Sequence, residues 1–159
     1  VKLFFLRHAE AEPGDDDARR ELTGKGRKDA RRIGKFLRDA GVKFDAAFAS
    51  PLIRAQQTAE LTLAECPLHR GVKLRCVDAL LNGTSPKDFQ HWLAKLPKTV
   101  EAVLLVGHAP SLAENVAQLL GLPKSTACNL PKGGLAGIEL TADAAPALRL
   151  FITPKLLKK

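Results

Sequence analysis

The chain has 159 residues, 45% of them hydrophobic, with 25 Lys and Arg against 17 Asp and Glu, a formal charge of +8 at pH 7. That length suits a single domain over residues 1–159, and the apolar share is enough for a buried core, which excludes intrinsic disorder. The apolar runs are far shorter than the roughly 20 residues a membrane-crossing helix needs. The first residues also lack the long apolar stretch and small-residue cleavage site of a secretory signal, so a cytoplasmic location with no membrane partner is expected.

Val1 to Leu6 is a continuous apolar run that fits a strand covered on both faces, and it ends at Arg7-His8. Glu10 to Glu21, with Pro13-Gly14 and three consecutive aspartates, reads as a loop. A helix follows, with Thr23 as N-cap, Ala30, Ile33, Leu37 and Ala40 at helical spacing, and Gly41 at its end. Phe44 to Ala49 is a short strand. Ser50-Pro51 then opens a helix to about Ala64, with Ser as cap and Pro at the first helical position.

Val72 to Val77 is a third strand, and Ser85-Pro86 opens a helix through Leu96. Ala102 to Val106 gives the strongest buried-strand pattern, followed by Gly107-His108. Ser111-Leu-Ala-Glu114 has capping-box spacing for a helix ending near Gly121. Leu135 to Leu140 and Ala147 to Ile152 read as two final strands around a turn. Strand and helix alternate, so the fold class is α/β: a three-layer sandwich with a mostly parallel central sheet and helices on both faces.

Three scattered cysteines (Cys66, Cys76 and Cys128), without a C-x-x-C spacing, read as small buried thiols and exclude a disulfide framework or a cysteine zinc site. Much of the positive charge lies on one helix, at Lys25, Arg27, Lys28, Arg31, Arg32, Lys35 and Arg38, where a solvated outer face is the ordinary reading. The rest of the excess includes the tail Lys155-Leu-Leu-Lys-Lys159. The absence of tyrosine and the single Trp92 argue against a reader of single-stranded nucleic acid, and no specific nucleic-acid partner is expected.

Three strand ends are each followed at once by a residue capable of chemistry: Arg7-His8, Ser50 with Arg54 one turn on, and Gly107-His108. In an open parallel sheet, ligands bind beyond the carboxyl ends of the strands. Two arginines and two histidines meeting there suit a dianion. Arginine matches phosphate oxygens in bidentate fashion, and Arg54 in a first helical turn adds the helix dipole. A neutral imidazole can attack phosphorus and form a phosphohistidine. Arginines and a second histidine can neutralise the phosphate oxygens without a metal or other cofactor. A general acid would then protonate the leaving group.

Leu6-Arg7-His8-Ala9-Glu10-Ala11, Leu22-Thr23-x-x-Gly26, Ser50-Pro51-Leu-x-Arg54-Ala55-x-Gln57-Thr58-Ala59 and Val106-Gly107-His108 together resemble the motif series of the histidine phosphatase (phosphoglycerate mutase-like) superfamily. The order and spacing agree over essentially the whole chain. The short chain, the Asp17-x-x-Arg20-x-Leu22-Thr23 segment and Lys132-Gly-Gly-Leu-Ala136 are similar to its phosphohistidine phosphatase (SixA) branch.

The resemblance implies a phosphoglycerate mutase-like fold. It implies His8 as the nucleophile, with Arg7, Arg54 and His108 holding the phosphoryl group, and Arg20 as a further phosphate contact. Ala9 stands where the widest pattern has glycine, as is common in the branch. The acidic residue that larger members place after a middle strand has no clear match, and Asp17 and Asp78 compete for it, with Asp17 ahead.

The leading expectation is therefore a monomeric, metal-independent phosphatase acting on phosphohistidine in a phosphorelay or carrier protein.

 The alternatives are a small-molecule phosphomonoesterase acting on a phosphorylated metabolite, and a non-catalytic binder of phosphorylated protein or nucleic acid. A metal hydrolase built on His8 and His108 is disfavoured, because the neighbouring arginines would repel a cation and no third ligand has suitable spacing.

Overall fold

The computed structural model describes residues 1–158. Six strands form one sheet: β1 (Lys2–Arg7), β2 (Ala46–Ala49), β3 (Leu74–Cys76), β4 (Ala102–Gly107), β5 (Leu135–Glu139) and β6 (Ala147–Ile152), in the order β3-β2-β4-β1-β5-β6. The first four run parallel to one another, while β5 is antiparallel to β1 and β6 to β5. The parallel strands need crossovers, and four helices supply the cover: α1 (Gly24–Asp39), α2 (Ile53–Glu65), α3 (Pro86–Leu93) and α4 (Ser111–Leu120).

The central strands are apolar at nearly every position because both of their faces are covered. Leu3 and Phe5 of β1 point to one side, where they pack with Phe89 of α3 and Leu112 and Val116 of α4. Phe4 and Leu6 point to the other, against Ile33 and Leu37 of α1 and Ala55 and Ala59 of α2. This two-residue alternation divides the core into two layers around the sheet. Phe5 is fully buried, and truncating such a side chain to alanine costs about 3–5 kcal/mol.

Several local signals act as the sequence indicates. The Thr23 hydroxyl accepts from Gly26 N–H at 3.0 Å and caps α1, and Ser85 does the same for Asp88 N–H at 3.1 Å in α3. Gly121 closes α4 at φ 69°, a left-handed conformation that favours glycine. Gly26 has a different reason to be glycine: a Cβ there would collide with the Glu10 carbonyl, so a side chain would push α1 off the loop that follows His8.

Other boundaries differ. α2 starts at Ile53 with Leu52 in the cap position, so Ser50 is no cap and Pro51 is not the first helical residue. The Ser50 hydroxyl lies instead against His108. Ser111 forms no capping box; its hydroxyl accepts from Gly83 N–H at 2.8 Å and its N–H donates to Asn82, tying α4 to the loop after β3. α3 stops at Leu93, and Pro97 disfavours helical backbone at Leu96. β3 spans three residues, and Cys76 on it is exposed, while Cys66 and Cys128 are buried. On α1, Arg31 and Arg38 pair with Glu65 and Arg32 with Asp29, as befits a solvated helix face.

Candidate active site

The three motif-bearing strand ends are neighbours. Arg7 is level with Gly107 across β1 and β4, and Ala49 with Val106 across β2 and β4. The register continues past the strands: His8 N–H donates to the Gly107 carbonyl at 2.9 Å, and Ser50 N–H to the Val106 carbonyl at 3.0 Å. From β1 the chain crosses to β2 on one side of β4, whereas from β4 it crosses over β1 to β5 on the other. The crevice outside β4 and β1 is thus where crossovers diverge, the usual ligand position in such sheets.

His8 is 6% exposed. Its Nδ1 lies 2.8 Å from the Ala9 carbonyl. A carbonyl only accepts, so Nδ1 carries the proton and Nε2 keeps its lone pair. Ala9 N–H donates to Thr58 Oγ1 at 3.0 Å, and that hydroxyl donates to the Arg54 carbonyl at 2.7 Å. Thr58 thereby fastens the segment after His8 to the first turn of α2. Gln57 makes a parallel tie by accepting from Leu22 N–H at 2.8 Å.

The remaining groups surround His8 with donors. Arg7 donates from one guanidinium nitrogen to the Leu130 carbonyl at 2.9 Å, and Arg54 donates to the Asp17 carbonyl at 2.8 Å and meets the Asp17 carboxylate at 3.3 Å. His108 Nε2 is 2.6 Å from Ser50 Oγ, and the two imidazole centroids are 5.1 Å apart. Among the described residues, four buried side-chain N or O atoms have no hydrogen-bond partner: Arg7 Nε, Arg54 Nε, His108 Nδ1 and Asn115 Oδ1. Three of the four belong to this one crevice. Buried polar atoms are nearly always paired, so the grouping marks a place that lacks an acceptor within the protein.

Burial and like charge set the protonation states. Desolvation lowers the His8 pKa to about 4, with the charges of Arg54, Arg7 and Lys132 pushing the same way. Desolvation likewise lowers His108 to about 3, helped by His8 and Arg54. Both rings are therefore neutral near pH 7. Asp17 is held below the usual carboxylate range by its hydrogen bond from Arg20 and by Arg54, so it stands as a carboxylate.

The residues singled out from sequence fall into two sets. Arg7, His8, Arg54 and His108 lie together at the crevice, and Asp17 reaches it through Arg54. Arg20 donates to the Glu12 carbonyl at 2.8 Å and to Asp17 at 3.1 Å, so it holds the loop that carries Asp17. Asp78 is exposed in a 3-10 turn after β3. Sequence reasoning missed Ser50 as the partner of His108, because its place before Pro51 reads as a helix cap. It also missed Thr58 and Lys132 as neighbours of His8; only their positions inside recognised segments hinted at them. Among the described residues, no cluster of three or more His, Cys, Asp or Glu is gathered to hold a metal ion.

A mostly parallel sheet with Arg-His and Gly-His at adjacent central strand ends is the phosphoglycerate mutase-like class of α/β fold. The profile of the histidine phosphatase superfamily (branch 1) matches residues 3–80. An uncharacterized protein of Picosynechococcus is 32% identical over 99% of both chains. Two solved structures are similar in fold. The protein histidine phosphatase SixA complexed with tungstate superposes with a TM-score of 0.86 at 23% identity, covering 99% of this chain and 100% of that one. The alpha-ribazole phosphatase of Shigella flexneri gives 0.76 at 19% identity, covering 97% of each. The chain belongs to the histidine phosphatase superfamily.

Proposed function

We propose that this chain is a metal-independent phosphatase that takes a phosphoryl group from phosphohistidine on a protein, holds it on His8, and passes it to water. The observation that carries this reading is the set of unpaired buried donors, Arg7 Nε, Arg54 Nε and His108 Nδ1, beside a neutral His8 with Nε2 free. A phosphoryl group supplies the acceptors these donors lack.

In the first step His8 Nε2 attacks phosphorus, the substrate P–N bond breaks, and the leaving imidazole takes a proton from water. In the second, water attacks the phosphorus on His8 and inorganic phosphate leaves. Arg7 and Arg54 neutralise the equatorial oxygens in both steps; a donor of this kind is worth about 10²–10³ in rate. The Leu52 N–H already donates to Ser50 Oγ at 3.4 Å. Among the described residues the Ser50 hydroxyl has no acceptor other than His108 Nε2, so it donates there, and the proton of neutral His108 sits on Nδ1, the atom without a protein partner.

The leaving group favours phosphohistidine. Asp17, the carboxylate whose charge is felt at His108, is ionised between Arg20 and Arg54. To serve as a proton donor it would have to be released from both arginines, of which Arg20 lowers its pKa the most. An imidazole departs with less help from an acid than an alkoxide does. A small phosphomonoester is the second reading, favoured by the likeness to an alpha-ribazole phosphatase.

The test is incubation with a histidine-phosphorylated protein and with a panel of phosphorylated metabolites. Phosphate release from the protein, and an acid-labile, base-stable label on His8 that is lost in His8→Ala, are expected. Full activity in His8→Ala would overturn the mechanism, and rapid turnover of one metabolite with none of the phosphoprotein would overturn the substrate.

A further inference from the structure

Beside the crevice lies a cavity of about 420 Å³ whose wall includes Lys25, Lys132, Lys155 and Lys158. The four lysines come from three distant parts of the chain: the start of α1, the loop before β5, and the 3-10 turn Pro154–Leu157 with the residue after it. The one carboxylate in the wall, Asp29, is 4% exposed and already paired with Lys25 at 3.4 Å and Arg32 at 3.0 Å. None of the ion pairs of the described residues includes Lys132, Lys155 or Lys158. Among the described residues, the cavity therefore has three positive charges without an ion-pair partner.

Its link to the crevice is a short run of backbone hydrogen bonds. Gly133 N–H, next to Lys132, is shared between the Arg7 carbonyl at 3.2 Å and the His8 carbonyl at 3.1 Å. Gly133 also packs on Pro154, so one loop joins the nucleophile's backbone to the lysine-bearing turn. Lys132 borders the cavity and also acts electrostatically on His8.

We propose that this lysine-walled cavity docks an acidic stretch of polypeptide flanking the phosphorylated residue of a protein substrate. The proposal rests on the phosphatase reading above and specifies its substrate. Charge complementarity selects an anionic occupant. The remaining wall, Pro131, Thr153 and Pro154, has no aromatic ring on which a nucleic-acid base could stack. The volume suits a few side chains and lies within the range of ordinary ligand pockets.

The test uses two histidine-phosphorylated peptides that differ only in a flanking run of Glu or of Gln, with para-nitrophenyl phosphate as a substrate without a flank. Wild-type protein should show the higher kcat/KM on the Glu peptide, and salt should remove the advantage. In the Lys155→Glu/Lys158→Glu variant, kcat/KM on the Glu peptide should fall at least about fivefold through KM. Values for the Gln peptide and para-nitrophenyl phosphate should hold. Equal kcat/KM on the two peptides in wild type, or equal losses on all three substrates in the variant, would overturn the docking.

Fluorescence anisotropy of the unphosphorylated peptides separates this idea from the catalytic one. Tighter binding of the Glu peptide, lost in the variant, supports docking even if no substrate is turned over, and the phosphatase reading then fails alone. An oligonucleotide that binds the cavity more tightly than the Glu peptide would overturn the choice of partner.

Discussion

Acid should destabilise this protein through its two buried imidazoles. His8 and His108 have pKa values lowered to about 4 and about 3, against an ordinary 6.5 in the unfolded chain. Between pH 7 and pH 5 both rings stay neutral in the folded protein, while the unfolded chain takes up a proton at each. The unfolded state binds more protons, so stability falls as the pH drops through this window and is recovered as it rises. Each ring contributes a loss of about 2 kcal/mol between pH 7 and pH 5. Two rings together weigh heavily against the 5–15 kcal/mol that holds a typical domain.

Urea unfolding of wild type, His8→Asn and His108→Asn at both pH values isolates the effect, because the carboxylates titrate in all three. The drop in stability from pH 7 to pH 5 should be smaller in each variant by about 2 kcal/mol. Imidazole NMR should show neither ring gaining a proton above pH 5 in the folded protein. An unchanged drop in both variants, or a His8 ring that titrates near 6.5, would refute the reasoning.

Three further outcomes are expected. Ser50→Ala frees His108 Nε2, and tungstate or phosphate affinity measured by calorimetry should weaken about tenfold, with a correspondingly lower kcat/KM. Thr58→Val leaves the buried Ala9 N–H without its acceptor, which should cost about 1–3 kcal/mol in urea unfolding and loosen the segment after His8. Asp17→Asn should slow turnover of alkyl phosphates more than that of phosphohistidine, if the carboxylate donates a proton once freed from Arg20 and Arg54. Equal effects on both substrates would assign Asp17 to orienting Arg54, and the same pattern in Asp78→Asn would move the acid to that residue.

Most of the scaffold follows from local patterns along the chain. The unbroken apolar runs of β1 and β4 require cover on both faces, and that places them at the centre of a mostly parallel sheet. Thr23, Ser85 and Gly121 act through neighbours a few residues away, so their caps are legible without tertiary contacts. Arg7, His8, Arg54 and His108 were legible for a similar reason: each follows a recognisable strand, and parallel strand ends meet on one edge.

Pairings among distant residues depend instead on how the elements pack in three dimensions. Ser50 sits where a helix cap is expected, yet the register of β2 with β4 carries its hydroxyl to His108, 58 positions away. Arg20 is turned onto Glu12 and Asp17 by the fold of its loop, and Asp17 onto Arg54. Lys25, Lys132 and Lys155 share one wall because α1 and the chain after β6 both pack beside the loop held by His8. Periodicity and capping report on neighbours along the chain; hydrogen bonds and charge across the fold depend on which elements the sheet order brings side by side. His8 is legible through the first kind of signal, while its neutral state and its backbone tie to Gly107 depend on the second.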